Sequence, residues 1–422
     1  MAKTWGPWYF GWNVLAVGLL FQAVLFGSTF FAYTMWVTQW LEDPVLDVSV
    51  SQAMFGITLL TLTQGFLAPF AGKAMDRLPI RLLVCGGASA AAIGFLLIAR
   101  ATAFWQIIAV YATLITLGTL LSGPLAAQTL SAKWFRRRRG LAIGLSTVGT
   151  SIGGLVMAPT VAFLFLNFGW RVAHVVIAGV ILLVVVPLVW WVVRNGPEER
   201  GLQPEPEAAT ATTAAAPPAS LSYTTLEILR MRTFWVMVLA FTPMVTAFGG
   251  VQQNLGPFAR DLGIGDAQTA WLIATFAGVM IPAKIFFGAM ADRFDHRYLY
   301  LLAVTLLAAA LLGMLARPGL AGMFVVSLLL GSAAGGFLPL LGAIVGSRFG
   351  PTAFGQVLGL LGPFTTVSAV GPLIAGHMRE TTGSYDPALW TFLGIMIPAL
   401  IAMSFLERLP TATRQTAAMN TA

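Results

Sequence analysis

The residue best placed to do chemistry in this sequence is Lys284, in the stretch Gly278-Val-Met-Ile-Pro-Ala-Lys284-Ile-Phe-Phe-Gly288, the only Lys or Arg inside an otherwise charge-free apolar run. An ionisable side chain at membrane depth costs about 3 kcal/mol or more, so its default meaning is a substrate or ion site facing a bundle interior. The competing reading is a lysine that snorkels its ammonium to the nearer interface, or one that only packs. A helix ending near Asp292 puts Lys284 eight residues deeper, about 12 Å along the axis, against a hydrocarbon half-thickness of about 15 Å. Helical Cα–Cβ bonds tilt toward the N-terminus. The charge distribution described below assigns that end to the outer side, so the side chain starts by pointing away from the inner surface.

Uncharged polar residues at similar depth are the other candidates for a path through the membrane. They are Gln22 and Thr29, Tyr111 and Thr119, Ser146, Thr147 and Thr150, Gln252, Gln253 and Asn254, and Thr365, Thr366 and Ser368. Ser and Thr in membrane helices commonly bond their own backbone or a packed neighbour. Gln22, Tyr111 and Asn254 are the stronger substrate-binding candidates, because a buried amide or phenol needs a partner. His174 and His377 lie near outer span ends and read as interfacial. No Asp or Glu lies within the apolar runs and no His pair has ligand spacing, so the nucleophile–base or metal constellation of an enzyme is missing. No cofactor or metal is expected. The lone Cys85 cannot form an intrachain disulfide.

The elements that must position these residues are membrane helices. Hydrophobic residues are 58% of the chain and charged residues 9%, with mean hydropathy +0.83, so its main solvent is lipid. Apolar runs long enough to cross a bilayer fall at Trp12–Met35, Gln52–Ala71, Leu82–Ile98, Phe104–Leu130, Leu141–Phe165 and Val172–Val193. Six more follow at Phe234–Leu255, Thr269–Met290, Tyr298–Leu315, Leu320–Val345, Val357–Ala375 and Leu389–Phe405. The first is too long for a signal-peptide core and reads as a retained span. The expected organisation is therefore an all-α integral membrane protein. It has an N-terminal bundle over 1–194, a mobile Pro/Ala/Thr/Glu-rich cytoplasmic linker over 195–229, a C-terminal bundle over 230–408 and a cytoplasmic tail over 409–422.

With both termini inside, eighteen of the 24 basic residues fall in cytoplasmic segments and five, Arg100, Arg171, Arg260, Arg317 and Arg379, in outer loops, leaving Lys284 in the membrane. That asymmetry fixes the orientation. It also makes the +8 formal charge a set of loop markers rather than a nucleic-acid stripe, so no nucleic-acid partner is expected.

The halves repeat one another. Gly72-Lys-Ala-Met-Asp76-Arg77-Leu-Pro-Ile-Arg81 returns as Gly288-Ala-Met-Ala-Asp292-Arg293-Phe-Asp-His-Arg297, each after the second span of its half. A weaker echo pairs Arg139-Gly-Leu-Ala-Ile-Gly-Leu145 with Phe354-Gly-Gln-Val-Leu-Gly-Leu360. In the loop motif, glycine admits a neighbouring helix, Asp pairs with basic groups across the loop, and Arg reaches helix C-terminal carbonyls. Asp76, Arg77, Arg81, Asp292, Arg293 and Arg297 are thus expected to form a latch on the inner gate. The glycines of 144–154 and 331–336 read as sites of close helix packing.

Twelve spans as six plus six, the central linker and the two Gly-x3-Asp-Arg-x3-Arg loops resemble the major facilitator superfamily over nearly the whole chain. Tyr9-Phe-Gly-Trp12 and Trp134-Phe-Arg-Arg-Arg-Arg-Gly140-Leu-Ala-Ile-Gly144 resemble, within it, the monocarboxylate transporters and oxalate/formate antiporters. The resemblance implies the major facilitator fold, two six-helix bundles around a central cavity with alternating access, in a monomer of the cell membrane. It also implies that Lys284, four residues before Gly288, stands where that branch has an arginine that pairs with substrate carboxylate. Lysine is a compact charge that can give up its proton, unlike the arginine fork. An aspartate found one turn earlier in some carriers is Met280 here, the first span has no lysine, and the eleventh has no cation. The expectation is transport of a small lactate- or pyruvate-like monocarboxylate with the proton as coupling ion and Lys284 as its carrier. Anion exchange, or a receptor that keeps the fold without moving anything, stays open.

Overall fold

The computed structural model of the protein describes residues 9–135, 139–202, 224–291 and 293–406. Among these, twelve helices are long and apolar enough to cross a membrane: Gly11–Phe31, Val50–Ala68, Ile80–Ala99, Phe104–Ser131, Leu145–Phe168, Trp170–Val192, Arg232–Asp261, Asp266–Ala291, His296–Leu315, Leu320–Phe349, Val357–Thr382 and Asp386–Ser404. They are called spans 1 to 12 below. Spans 7 and 11 run past their expected ends, on to Asp261 and Thr382. Hydropathy falls at Gln252–Asn254 and at His377, but the backbone hydrogen-bond ladder continues past them, because polar residues end an apolar run and not a helix.

Span 1 is not a uniform helix. It is α-helical over Gly11–Phe26, widens to i→i+5 bonding over Gly27–Phe31, and resumes as Tyr33–Glu42. In a regular helix Phe26 and Phe30 share a face and Phe31 does not. The wider turn brings Phe31 round toward the same side.

Close glycine contacts position spans 1 and 5, and spans 7 and 11, in the same way in the two halves. A Cβ on Gly153 would stand 2.6 Å from Ala23 O and close to Gly27, and one on Gly371 would meet Thr246 O and Gly250. Backbone contact of this kind is the usual use of small residues between membrane helices, where lipid gives no hydrophobic drive.

The two motifs that carry the subfamily resemblance meet in space. Tyr9 Oη donates to Trp134 O (2.5 Å), Tyr9 and Trp12 set their rings against Phe135 at 5.4 and 4.8 Å, and Phe10 lies 5.7 Å from Trp134. Trp134 Nε1 donates to Arg194 O (3.0 Å), and the Arg200 guanidinium sits 3.6 Å over Phe10. One aromatic cluster therefore ties the start of span 1 to the end of span 4 and to the chain beyond span 6.

That last contact lies in the first residues of the expected linker. Residues 195–202 carry a short helical turn at Pro197–Arg200, and Asn195 Oδ1 accepts from Ile80 N (2.7 Å). Thr225–Arg230 is a helix opened by a Thr224/Glu227 capping box, a Thr-x-x-Glu pattern readable in the sequence. Residues 203–223 and the tail 409–422 lie outside the described residues. His174 also departs from expectation. It is fully buried and caged by Trp36 at 4.0 Å, with Phe95 and Trp170 each at 5.6 Å, while its Nδ1 lies 2.8 Å from Trp170 O. The tryptophans of spans 1 and 6 close over the ring. His377 is exposed.

At the end of the bundle that carries Glu42 and Asp43, Asp43 anchors the loop after span 1. It accepts from Arg171 (2.6 Å), Trp170 (2.9 Å) and Val45 N (2.9 Å). Burial pushes its carboxyl up, but these hydrogen bonds and the Arg171 charge outweigh it and hold the group below the ordinary carboxylate value.

Candidate functional site

Both halves contribute to a central cavity of about 380 Å³. Its walls come from spans 1, 2, 4 and 5 and from spans 7, 8, 10 and 11; spans 3, 6, 9 and 12 supply nothing to it. The polar lining is Thr61, Gln128, Thr147, Thr150, Gln252, Gln253, Lys284 and Ser368, set in an apolar wall dominated by Phe26, Phe30, Phe31, Phe248 and Phe337. A few convergent polar groups in an apolar pocket is the general form of a small-molecule site.

Lys284 is on that wall. Its ammonium donates across the interface between halves to Ser151 Oγ (2.8 Å), Thr147 O (3.1 Å) and Thr150 Oγ1 (3.4 Å) of span 5. Glycines admit close neighbours on both sides of span 8: across the halves a Cβ on Gly154 of span 5 would meet Ala277, and within the second half one on Gly335 of span 10 would stand 3.0 Å from Lys284 N. Three donors meet three neutral oxygens, and among the described residues no carboxylate forms an ion pair with Nζ. The charge is solvated by protein dipoles and left without a counter-ion. The side chain also stays at the depth of Thr147–Ser151 instead of reaching for the end of the bundle that carries Asp295.

The other three expected ligands lie in the packing around the cavity. Gln22 is fully buried and donates to Gly18 O (3.2 Å) and, across to span 5, Ser146 O (2.9 Å). Asn254 donates to Gly250 O (2.9 Å) and, across to span 11, Pro372 O (3.1 Å), and accepts from Tyr385 Oη (3.3 Å). These amides join span 1 to 5 and span 7 to 11, one in each half. Tyr111 is fully buried between Tyr33 at 5.2 Å and Trp40 at 5.9 Å. None of the three lines the cavity. Gln252 and Gln253, immediately before Asn254, do. Sequence reasoning had no candidate in span 2 and overlooked Gln128, although Thr61 and Gln128 are polar residues inside apolar runs and carried the same signal as Gln22.

Of the expected inner latch, Arg81 and Arg297 have partners within their own halves. Arg81 lies 4.5 Å over Trp190 of span 6, and Arg297 pairs with Asp295 (3.3 Å) and donates to Ser404 O (3.4 Å). Arg293 is exposed; Asp292 and the side chains of Asp76 and Arg77 lie outside the described residues. Among the described residues, polar contacts between halves gather at the Glu42 end. Arg260 of span 7 pairs with Glu42 (2.6 Å) and donates to Thr38 O (2.7 Å), and Gln39 donates to Asp266 (3.0 Å), which also pairs with Arg260. Thr34 Oγ1 accepts from Gly256 N (2.5 Å), and Ser49 reaches Glu380 (3.3 Å). These contacts join the two halves at this end. A second, polar cavity of about 230 Å³ nearby holds Arg317 and Arg379, but their charges are met by Asp386 and Asp261.

The profile of the Major Facilitator Superfamily matches residues 15–258 and 254–420 of this chain. The chain belongs to the major facilitator superfamily. Monocarboxylate transporter 12 of Mus musculus is 27% identical over 364 residues, 81% of this chain and 74% of that protein. Monocarboxylate transporter 11 of Homo sapiens is 27% identical over 359 residues, 80% of this chain and 71% of that protein, and an MFS-type transporter of Aspergillus fumigatus 23% over 360 residues, 82% of each. Among solved structures, a bacterial homolog of the human lysosomal transporter Spinster, in an inward-facing and occupied conformation, superposes with a TM-score of 0.67 at 17% identity over 95% of each chain. That likeness concerns the fold. The protein is thus a multi-pass membrane transporter of this superfamily, related at low identity to the monocarboxylate transporters.

Proposed function

We propose that the protein is a secondary transporter of a small organic monocarboxylate, with Lys284 as the anion anchor. One observation carries this reading: a cavity-wall ammonium bonded to three neutral oxygens and paired with no carboxylate. A charge held in apolar surroundings without a counter-ion is poorly compensated. A carboxylate entering the cavity supplies both the missing charge and a charge-assisted hydrogen bond. One cation favours one carboxylate.

The same contacts give a route from binding to movement. Lys284 ties span 8 to span 5, so a carboxylate that draws Nζ away from Thr147 O and Ser151 Oγ loosens a contact between the halves. Binding then has a differential effect on the two conformations, as any ligand-driven shift requires. The Gly-x3-Asp-Arg-x3-Arg loops, with Asp76, Arg77, Arg81, Asp292, Arg293 and Arg297, serve the inner gate in this scheme, and both termini are cytoplasmic. Lys284 is also the proton carrier: the apolar runs contain no carboxyl group, and lysine, unlike arginine, can be deprotonated in a protein. The second reading, carboxylate exchange, needs no proton and is favoured by the absence of an acidic residue at Met280.

Counterflow in proteoliposomes tests the proposal. Labelled monocarboxylate should accumulate transiently in vesicles preloaded with the unlabelled acid, and Lys284→Ala should abolish it while the protein still folds. Absence of counterflow for every monocarboxylate tried, as a pure receptor would give, or wild-type counterflow in Lys284→Ala, overturns it.

A further inference from the structure

The polar groups of the central cavity are layered by depth, with phenylalanine between the layers. Spans 7 and 8 share the short turn between Asp261 and Asp266, which gives a common reference for height. Gln252 lies nine residues before Asp261, about 14 Å below the turn, and Lys284 lies eighteen after Asp266, about 27 Å below it. The two Cα positions thus differ in depth by about 13 Å. Side chains lean toward the N-terminus of their own helix. Span 7 begins at the inner end and span 8 at the outer, so Gln252 and Lys284 lean toward the same intervening layer.

Both halves fill that layer with aromatic rings. From span 1 come Phe26, Phe30 and, through the widened turn, Phe31; from spans 7 and 10 come Phe248 and Phe337, whose rings meet edge to face at 5.3 Å. Beyond it, Gln252 makes no hydrogen bond to any described residue, and the Oε1 of Gln253, a residue 5% exposed, is buried without a partner. Gln22 and Asn254, the amides outside the cavity, donate to backbone carbonyls across helices, although Gln22 Oε1 is likewise buried without a partner; what sets Gln252 and Gln253 apart is that they line the cavity. An amide left unmatched in an apolar wall is costly unless a ligand or water completes it. A cavity of about 380 Å³ also falls in the range of roughly 300–1,000 Å³ that houses drug-sized molecules, and an acid of lactate's size leaves most of it unfilled.

From this juxtaposition we infer that the substrate is an aryl-alkanoate with a hydrogen-bonding group at its far end, its ring in the phenylalanine layer and its polar end at Gln252 and Gln253. The inference rests on Lys284 taking the carboxylate, and it replaces the lactate- or pyruvate-like acid expected from the resemblance by a longer one.

The test is equilibrium binding of propanoate, phenylpropanoate and its para-hydroxy derivative to the purified full-length protein. Phenylpropanoate should bind at least about tenfold tighter than propanoate, since a ring buried among rings adds area and quadrupole contacts, and the para-hydroxyl should add about fivefold, one net hydrogen bond. Phe30→Ala should collapse the first ratio and Gln252→Leu the second, while Lys284→Gln weakens all three acids. Equal affinity for phenylpropanoate and propanoate overturns the aryl inference, even where Lys284→Gln still weakens both and the anchor reading stands. A para-hydroxyl increment that survives Gln252→Leu overturns the assignment of the far end. Insensitivity of all three acids to Lys284→Gln, or no binding of any of them, overturns the anchor and this inference together.

Discussion

Arg260 is the residue whose removal should most change which side of the cavity is open. It is 22% exposed, and its guanidinium bonds Thr38 O and Glu42 in the other half while also pairing with Asp266 in its own. The Glu42 pair adds about 0–1 kcal/mol, because Glu42 is 65% exposed and water screens it. The bond to the Thr38 carbonyl is charge-assisted and partly buried, about 1.5–3 kcal/mol. Asp266, 10% exposed, loses its counter-charge as well and would hold Gln39 alone. A total near 3 kcal/mol corresponds to about a hundredfold shift toward the state open at the Glu42 end. The assay is labelling of a cysteine on the cavity wall, Thr61→Cys in a Cys85→Ala background, by a membrane-impermeant maleimide applied from that side. Arg260→Ala should raise the labelling rate by one to two orders of magnitude, and Arg260→Lys by less. An unchanged rate in Arg260→Ala would refute the assignment of these contacts as a gate.

Three further outcomes are expected. Lys284→Arg should retain part of the carboxylate binding and exchange but lose accumulation driven by an inward proton gradient; full proton-driven accumulation would place the coupling group elsewhere. Gln22→Leu and Asn254→Leu each remove a bond between helices and should lower the melting temperature by the equivalent of about 1 kcal/mol, with substrate affinity near that of the wild type; a large loss of affinity at unchanged stability would return them to the site. Asp76→Asn should increase labelling of cysteines introduced at the end of the cavity nearest Arg81 and Arg297, and equal labelling would leave the loop motif a topological role only.

Lys284 was legible in the sequence because a charge in lipid is costly wherever it faces, so its position alone carried information. The neutral amides were not. Gln253 and Asn254 are neighbours about 100° apart on one helix, and only packing decides that the first looks into the cavity and the second into span 11. Hydropathy marks both as polar and is silent on which buried carbonyl each meets. Phe31 was hidden for a different reason: its direction depends on the wider turn over Gly27–Phe31, which no residue pattern in span 1 announces. The repeated loop motif directed attention to the inner gate, whereas the contacts that join the halves at the other end involve Thr38, Gln39, Glu42, Arg260 and Asp266, which do not recur as a motif. The twelve spans were legible apart from some of their ends, since membrane helices must satisfy their own backbone and therefore follow hydropathy closely.

The central claim is that the carboxylate of the substrate binds the Lys284 ammonium, and a comparison of acid with amide tests it most directly. Binding of phenylpropanoate and of phenylpropanamide, equal in shape and different in charge, is measured on the wild type and on Lys284→Gln. A charge-assisted bond is worth about 1.5–3 kcal/mol, so the wild type should prefer the acid by at least about tenfold and Lys284→Gln should bind the two alike. An acid preference that persists undiminished in Lys284→Gln would contradict the account.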